Sequence, residues 1–232
     1  FMAFVCLLSV SCYSSLFFNE TSSDDHFNAS AHHPYVCCVV NEEKSCCGTG
    51  VLCTLDDKKF ILTAAHVAAD GSSIQVLFRY SSFIKVTSVN LHPFYQDTWF
   101  NRLTDIALLF LEEYPPIESL NISHEDFNPD EPITAVGFGK LGFYDSTGRG
   151  HYAKNIGFRY EASVVEFMAK KFPLIYFGKN TCNENDYHGL EKVFSDNHTL
   201  KLEGALSNGD SGGPLIQNHK LVGLTVSSYR NL

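Results

Sequence analysis

From residue 35 onward the chain is cut into short runs of β-branched and aromatic residues with turn formers between them. Such runs fall at 35–40, 74–80, 83–89, 105–111, 133–138, 174–177 and 221–226. No long segment repeats apolar residues at the 3.6-residue period of an amphipathic helix. Many short strands at close spacing indicate an all-β barrel or sandwich. With 44% hydrophobic residues over 232 positions, the chain can bury a real core, as one large domain or two small ones. The polar stretch 121–132 carries two prolines and places a boundary near residues 120–130.

Chemistry enters at Gly209-Asp210-Ser211-Gly212-Gly213-Pro214. A serine hydroxyl is a weak nucleophile until a base takes its proton. It also needs backbone N–H groups aimed at the oxygen on which charge develops. Flanking glycines let the backbone turn sharply and approach a substrate closely. The bland alternative is an ordinary Gly/Ser/Asp turn.

Two upstream segments offer the partners such a serine requires. Thr63-Ala64-Ala65-His66 follows the strand-like run Lys59-Phe60-Ile61-Leu62. A histidine among small residues at a strand end can project from a short helical turn and serve as the base. Asp105-Ile106-Ala107-Leu108-Leu109 opens another apolar strand, and an aspartate at its mouth can accept the imidazole N–H. Taken alone, the histidine reads as structural and the aspartate as a cap or turn residue.

Together the three segments resemble the chymotrypsin/trypsin-like serine proteases, peptidase family S1. They match that family's TAAH, DIAL and GDSGGP motifs in its order of His, Asp, Ser, which differs from subtilisins and α/β-hydrolases. Cys47-Gly48-Thr49-Gly50-Val51-Leu52 and His92-Pro93-Phe94-Tyr95 are supporting matches. Ala135-Val136-Gly137-Phe138-Gly139 is similar to the start of the family's second barrel. The resemblance covers residues 34–232.

It implies two packed antiparallel six-stranded β-barrels: residues 34–125 with His66 and Asp105, and residues 126–232 with Ser211. Only 21 residues follow Ser211, whereas the family continues through another pocket-forming strand and a C-terminal helix. The second barrel is therefore expected to be truncated.

The resemblance also implies roles. His66 is the general base, Asp105 its orienting carboxylate and Ser211 the nucleophile. The N–H groups of Gly209 and Ser211 form the oxyanion hole. Ala205 lies at the floor of the substrate pocket, with Leu206, Asn208, Val226, Ser227 and Ser228 lining it. No carboxylate stands at that floor to pair a substrate ammonium, so apolar or small P1 residues are expected. An Ile-Val-Gly-Gly-like start, whose amine would pair with Asp210 after activation, does not precede Pro34. Asp210 then needs another partner. Polypeptides are the implied substrates and protein protease inhibitors the implied partners; no cofactor or metal is implied.

The remaining sequence bounds other function classes. A net charge of −9 argues against nucleic acid, whose phosphates require clustered Lys and Arg. Residues 1–18 are apolar but broken by serines, like a signal-peptide core, with membrane anchoring or lipid modification of Cys12 as alternatives. A secreted or extracytoplasmic protein follows from the first reading, with no stable membrane insertion after cleavage. Residues 19–33 are polar and read as a flexible linker. Sequons at Asn19, Asn28, Asn121 and Asn197 suit a secreted glycoprotein.

Beyond Cys6 and Cys12 in that leader, six cysteines remain: Cys37, Cys38, Cys46, Cys47, Cys53 and Cys182. A turn at 41–44 would bring the pairs 37/38 and 46/47 face to face, with Cys38–Cys47 as the expected bridge. A tetrathiolate metal site is the alternative. The cysteines that the family places after its histidine and before its serine are Val67 and Ser207 here. The competing function is a secreted, catalytically inactive protease homologue that acts as a binding protein.

Overall fold

The computed structural model describes residues 5–7, 15–18, 22–41, 46–69, 73–96, 104–125, 127–128, 130–139, 141–144, 150–152, 162–168, 174–176, 179–180, 200–202, 204–206 and 209–226. In chain order these form β1 (Val5–Leu7), β2 (Ser15–Phe18), α1 (Ser23–Ala29), β3 (Val36–Asn41), β4 (Cys46–Leu55), β5 (Lys58–Thr63), α2 (Ala65–Ala68), β6 (Ile74–Phe78), β7 (Ile84–Leu91) and β8 (Ala107–Leu111). There follow β9 (Asn121–Ile122), β10 (Pro132–Gly137), β11 (Leu141–Tyr144), β12 (Gly150–Tyr152), β13 (Ser163–Met168), β14 (Leu174–Tyr176), β15 (Lys179–Asn180), β16 (Gly204–Ala205), β17 (Pro214–Gln217) and β18 (Lys220–Leu224).

Six strands close into a barrel in the order β3-β4-β5-β8-β7-β6. All its pairings are antiparallel. Side chains alternate in β6 and β8, with every second residue buried, as expected when one face of a strand lines the interior. Leu52, Ile61, Leu62 and Leu109 are essentially without solvent contact. Burying a side chain of this kind contributes about 1.5–3 kcal/mol. The β4–β5 hairpin turns on Asp56 and Asp57, both with positive φ, between the paired residues Leu55 and Lys58. Two left-handed residues give the turn the strand twist it needs, and aspartate tolerates that region better than most side chains.

The chain enters a second sheet at β9. Its order is β13-β10-β17-β18-β9, with Ile133, Leu215, Leu221 and Leu224 at its buried centre. Among the described residues this sheet is five-stranded and open, so the expected first barrel is found and the second appears as part of one. The β17–β18 hairpin repeats the two-residue device, with Asn218 and His219 at positive φ.

One segment differs from the sequence expectation. Part of the stretch read as a flexible linker is α1, followed by a 3-10 turn at Ser30–His32. Ser22 caps α1 by accepting from Asp24 N–H. His26 and Ser30 are buried, and His26 Nδ1 lies 2.6 Å from the carbonyl of Val164 in β13. Arg79, just past β6, donates to Ser30 Oγ and to the Phe27 carbonyl. The helix is thus tied to both β-units. In the apolar N-terminal stretch, β1 pairs with β14, while β2 lies between β11 and β16. No helix among the described residues is long and apolar enough to cross a membrane.

The cysteine pairs are also offset from the expected register. In the β3–β4 hairpin Cys38 faces Thr49, and Cys47 faces Val40. Pairing extends inward to Asn41 and Cys46, which shifts the two cysteine pairs past each other by two residues. The expected Cys38–Cys47 bridge would therefore join diagonal positions rather than opposed ones. Cys37 and Cys53 are buried thiols outside any disulfide. Burial pushes the Cys37 thiol up and the Cys53 thiol up to about 12, so both act as small apolar core residues. No disulfide joins described residues, and among them no group of cysteines, histidines and carboxylates is placed to hold a metal. The side chains of Cys46 and Cys47, and Cys182 entirely, lie outside the described residues.

Candidate active site

His66 stands on α2, a single helical turn that starts where β5 ends. Ala64, Ala65 and Ala68 are small enough for this turn to sit on the barrel mouth, where they and Val67 are buried. Asp105 precedes β8, the neighbour of β5 in the barrel, so the two residues emerge at the same rim. Asp105 is 3% exposed. Its Oδ1 accepts the His66 backbone N–H at 2.8 Å, and its Oδ2 lies 2.7 Å from His66 Nδ1. Two contacts from one carboxylate set both the ring's orientation and its tautomer. Nδ1 carries the proton that Asp105 accepts, which leaves Nε2 as the basic nitrogen. The His66 side chain keeps 32% of its surface exposed, so the ring can meet a ligand. The strand expected from residue 105 begins at Ala107 instead, because Asp105 turns out of the ladder to reach His66.

Ser211 lies on a loop made by two glycines in the left-handed region, Gly209 at φ +103° and Gly212 at φ +84°. The loop closes with Gly213 N–H donating to the Asp210 carbonyl at 2.8 Å. A Cβ on Gly212 would collide with the Thr49 carbonyl and the Thr63 hydroxyl and would lie 2.8 Å from the Ala64 nitrogen. The residue after the serine is therefore packed on the two residues that lead into the histidine turn. Close approach at Gly212 is what brings Ser211 from the second sheet to the rim that carries His66 and Asp105. Ser211 itself is partly exposed.

Asp210 is 1% exposed, and its Oδ1 accepts the Gly139 N–H at 2.8 Å. Its carboxylate also fills the space where Gly137 would carry a Cβ. The partner expected for Asp210 is thus found in part in the backbone just past β10.

Thr49 has no role assigned from sequence, although it lies within a quoted motif. It is fully buried. Its N–H donates to the Ser211 carbonyl at 2.8 Å, and its hydroxyl donates to the Gly209 carbonyl at 2.8 Å and accepts the Phe138 N–H at 3.0 Å. Its own carbonyl accepts the Thr63 hydroxyl at 2.7 Å. A polar residue between two glycines, in a largely apolar strand, was the available signal.

The expected substrate pocket is described only in part. Leu206 and Val226 are buried at 7% and 3% exposure. Ala205 lies in β16 opposite Leu16 of β2. Asn208, Ser227 and Ser228 lie outside the described residues. Val67, which replaces a family cysteine, packs its two methyls against Gly48, whose Cβ would meet them at 2.6 Å.

Residues 48–224 match the family model of the trypsin-like peptidase domain. A protein described as trypsin, from Saccharopolyspora erythraea, is 26% identical over 206 residues, covering 83% of this chain and 80% of its own length. Among solved structures, neuropsin, a serine protease of mouse brain, aligns with a TM-score of 0.54 and 18% identity over 83% of this chain and 81% of its own. An inactivated protease paralogue of the scabies mite aligns at 0.56 and 16% identity, covering 85% and 82%. Both structures share the fold seen here. With the family model spanning both β-units, from Gly48 to Leu224, the chain belongs to the trypsin-like peptidase domain family.

Proposed function

We propose that this protein is a serine endopeptidase whose nucleophile is Ser211. The observation that carries the reading is the double contact of Asp105 with His66 at a rim onto which the Ser211 loop is packed. In the proposed reaction Ser211 Oγ attacks the scissile carbonyl carbon as its proton passes to His66 Nε2. The Asp105 carboxylate stabilises the imidazolium without taking that proton. Negative charge on the substrate oxygen is met by the N–H groups of Gly209 and Ser211. A single donor of this kind is worth about 3 kcal/mol of transition-state stabilisation. Collapse breaks the C–N bond, and the leaving amine takes the proton from His66. Water then attacks the acyl-enzyme with His66 again as base, and Ser211 recovers its proton.

Polypeptides are the proposed substrates. Preference for apolar or small P1 residues rests on the uncharged pair Ala205-Leu206. The serine-rich apolar leader and the exposed sequon residues Asn28 and Asn121 support a secreted protein. The second reading is an inactive homologue that binds without cleaving, since this fold also serves a protein described as inactivated. Hydrolysis of peptides that differ only at P1, compared with the Ser211→Ala variant, separates the two. Cleavage after apolar or small residues that vanishes in the variant is the expected result. Equal turnover by the variant, or none by the folded parent, contradicts the enzyme reading, and best cleavage after Lys or Arg contradicts the pocket assignment alone.

A further inference from the structure

We propose that Thr49 is a positioning residue that holds the oxyanion loop in register with the histidine rim. Gly209 and Gly212 leave the Ser211 loop with more backbone freedom than any other residue type would. A catalytic N–H must be aimed before the reaction begins if it is to stabilise charge without reorganisation. Thr49 pins the loop on both sides of the serine: its hydroxyl takes the Gly209 carbonyl and its N–H takes the Ser211 carbonyl. The peptide unit between Asp210 and Ser211, which carries the Ser211 N–H, is bracketed by those two anchors. Planarity of each peptide then limits how far that N–H can swing. The anchor itself is fixed, because the Thr49 hydroxyl accepts Phe138 N–H from the end of β10 and the Thr49 carbonyl accepts Thr63 Oγ1 three residues before His66. One buried residue, through its hydroxyl and its backbone, thereby couples the oxyanion donors, the second sheet and the histidine strand.

The inference rests on the peptidase reading, and its test separates the two. Thr49→Val keeps the shape and removes the hydroxyl, which takes that partner from the half-buried Gly209 carbonyl and from the buried Phe138 N–H. The expected result is a fall in kcat of about 10–100-fold with KM within about twofold, somewhat less than the loss of an oxyanion donor itself. Affinity for a peptide trifluoromethyl ketone, which forms the oxyanion, should fall in parallel, and affinity for a product peptide should not. Thr49→Ser, which restores the hydroxyl, should return kcat to within about threefold of the parent. A Thr49→Val protein of lower melting temperature but unchanged kcat and ketone affinity would show a merely structural role and overturn the inference. If Thr49→Val does not fold, Thr49→Ser and Thr49→Cys carry the test. They are similar in shape, but the thiol is much the weaker donor and acceptor, and equal kcat in the two overturns it. A parent protein that neither hydrolyses peptides nor binds the ketone overturns this inference together with the peptidase reading.

Discussion

Asp105 contributes to the site through geometry before charge. Its two oxygens divide between the His66 backbone N–H and the ring Nδ1, so ring and backbone are held as one piece. Asp105→Asn would keep the volume but place an NH2 against one of these donors, and the ring would be driven to the wrong tautomer. The expected outcome is a folded protein with kcat reduced by about 10⁴-fold, checked by steady-state kinetics beside a melting curve. Gly212 shows a different constraint. Any side chain there meets Thr49, Thr63 and Ala64 while the backbone holds φ at +84°. Gly212→Ala should cost at least about 1–3 kcal/mol of stability from the strained backbone alone, read from urea denaturation. A variant as stable as the parent would mean that the loop does not pack on the histidine turn. Both residues lie in motifs that are legible in sequence. The contacts that make them work were not legible, because Thr49, Phe138 and Ser211 lie in three distant segments.

At the scale of elements, the strands were the more legible part. Runs read at 133–138 and 221–226 correspond to β10 at Pro132–Gly137 and β18 at Lys220–Leu224. Helix α1 and the 3-10 turn after it were hidden because the groups they bury most fully are polar. His26 and Ser30 carry no apolar period, so their segment has the composition of a loop. The cap Ser22, with acidic residues at 24 and 25, was the signal of a helix start. This packing has a pH consequence. Burial holds the His26 pKa below the usual histidine value of 6.5, against the opposing pull of its contact with the Val164 carbonyl and the charge of Asp25. His33, bonded through Nδ1 to the Tyr35 hydroxyl, is lowered to about 4 by burial, with the charges of His32 and His219 adding to the effect. Well above 6.5 both rings are neutral whether the chain is folded or not, and they leave stability unchanged. As pH falls below 6.5 the unfolded chain takes up protons that the folded one refuses, so stability drops until about pH 4 for His33. The melting temperature should fall across that window, and His33→Phe should make the fall shallower. A pH slope identical in parent and variant would remove His33 from the account.

For the whole molecule, the decisive feature is where the two β-units meet. The closed barrel supplies His66, Asp105 and Thr49, and the second sheet supplies Ser211, Asp210 and the Phe138–Gly139 backbone. Neither unit holds the candidate site alone. Leu120 N–H bonding to the Leu52 carbonyl, and Ser123 N–H to that of Leu221, carry the chain from one unit to the other. The family resemblance and the polar stretch 121–132 lead one to expect two units with His66 and Asp105 in the first and Ser211 in the second. The junction was not legible, since it depends on glycines that admit close approach and on a threonine that joins the segments. Whether Ser211 is a nucleophile activated by His66 and Asp105 is tested most directly by labelling with a fluorophosphonate followed by mass mapping of the adduct. The expected result is one adduct on Ser211, lost in Ser211→Ala and strongly slowed in His66→Ala with both variants folded. A folded parent that takes no label, or takes it equally well when His66 is replaced, would contradict it.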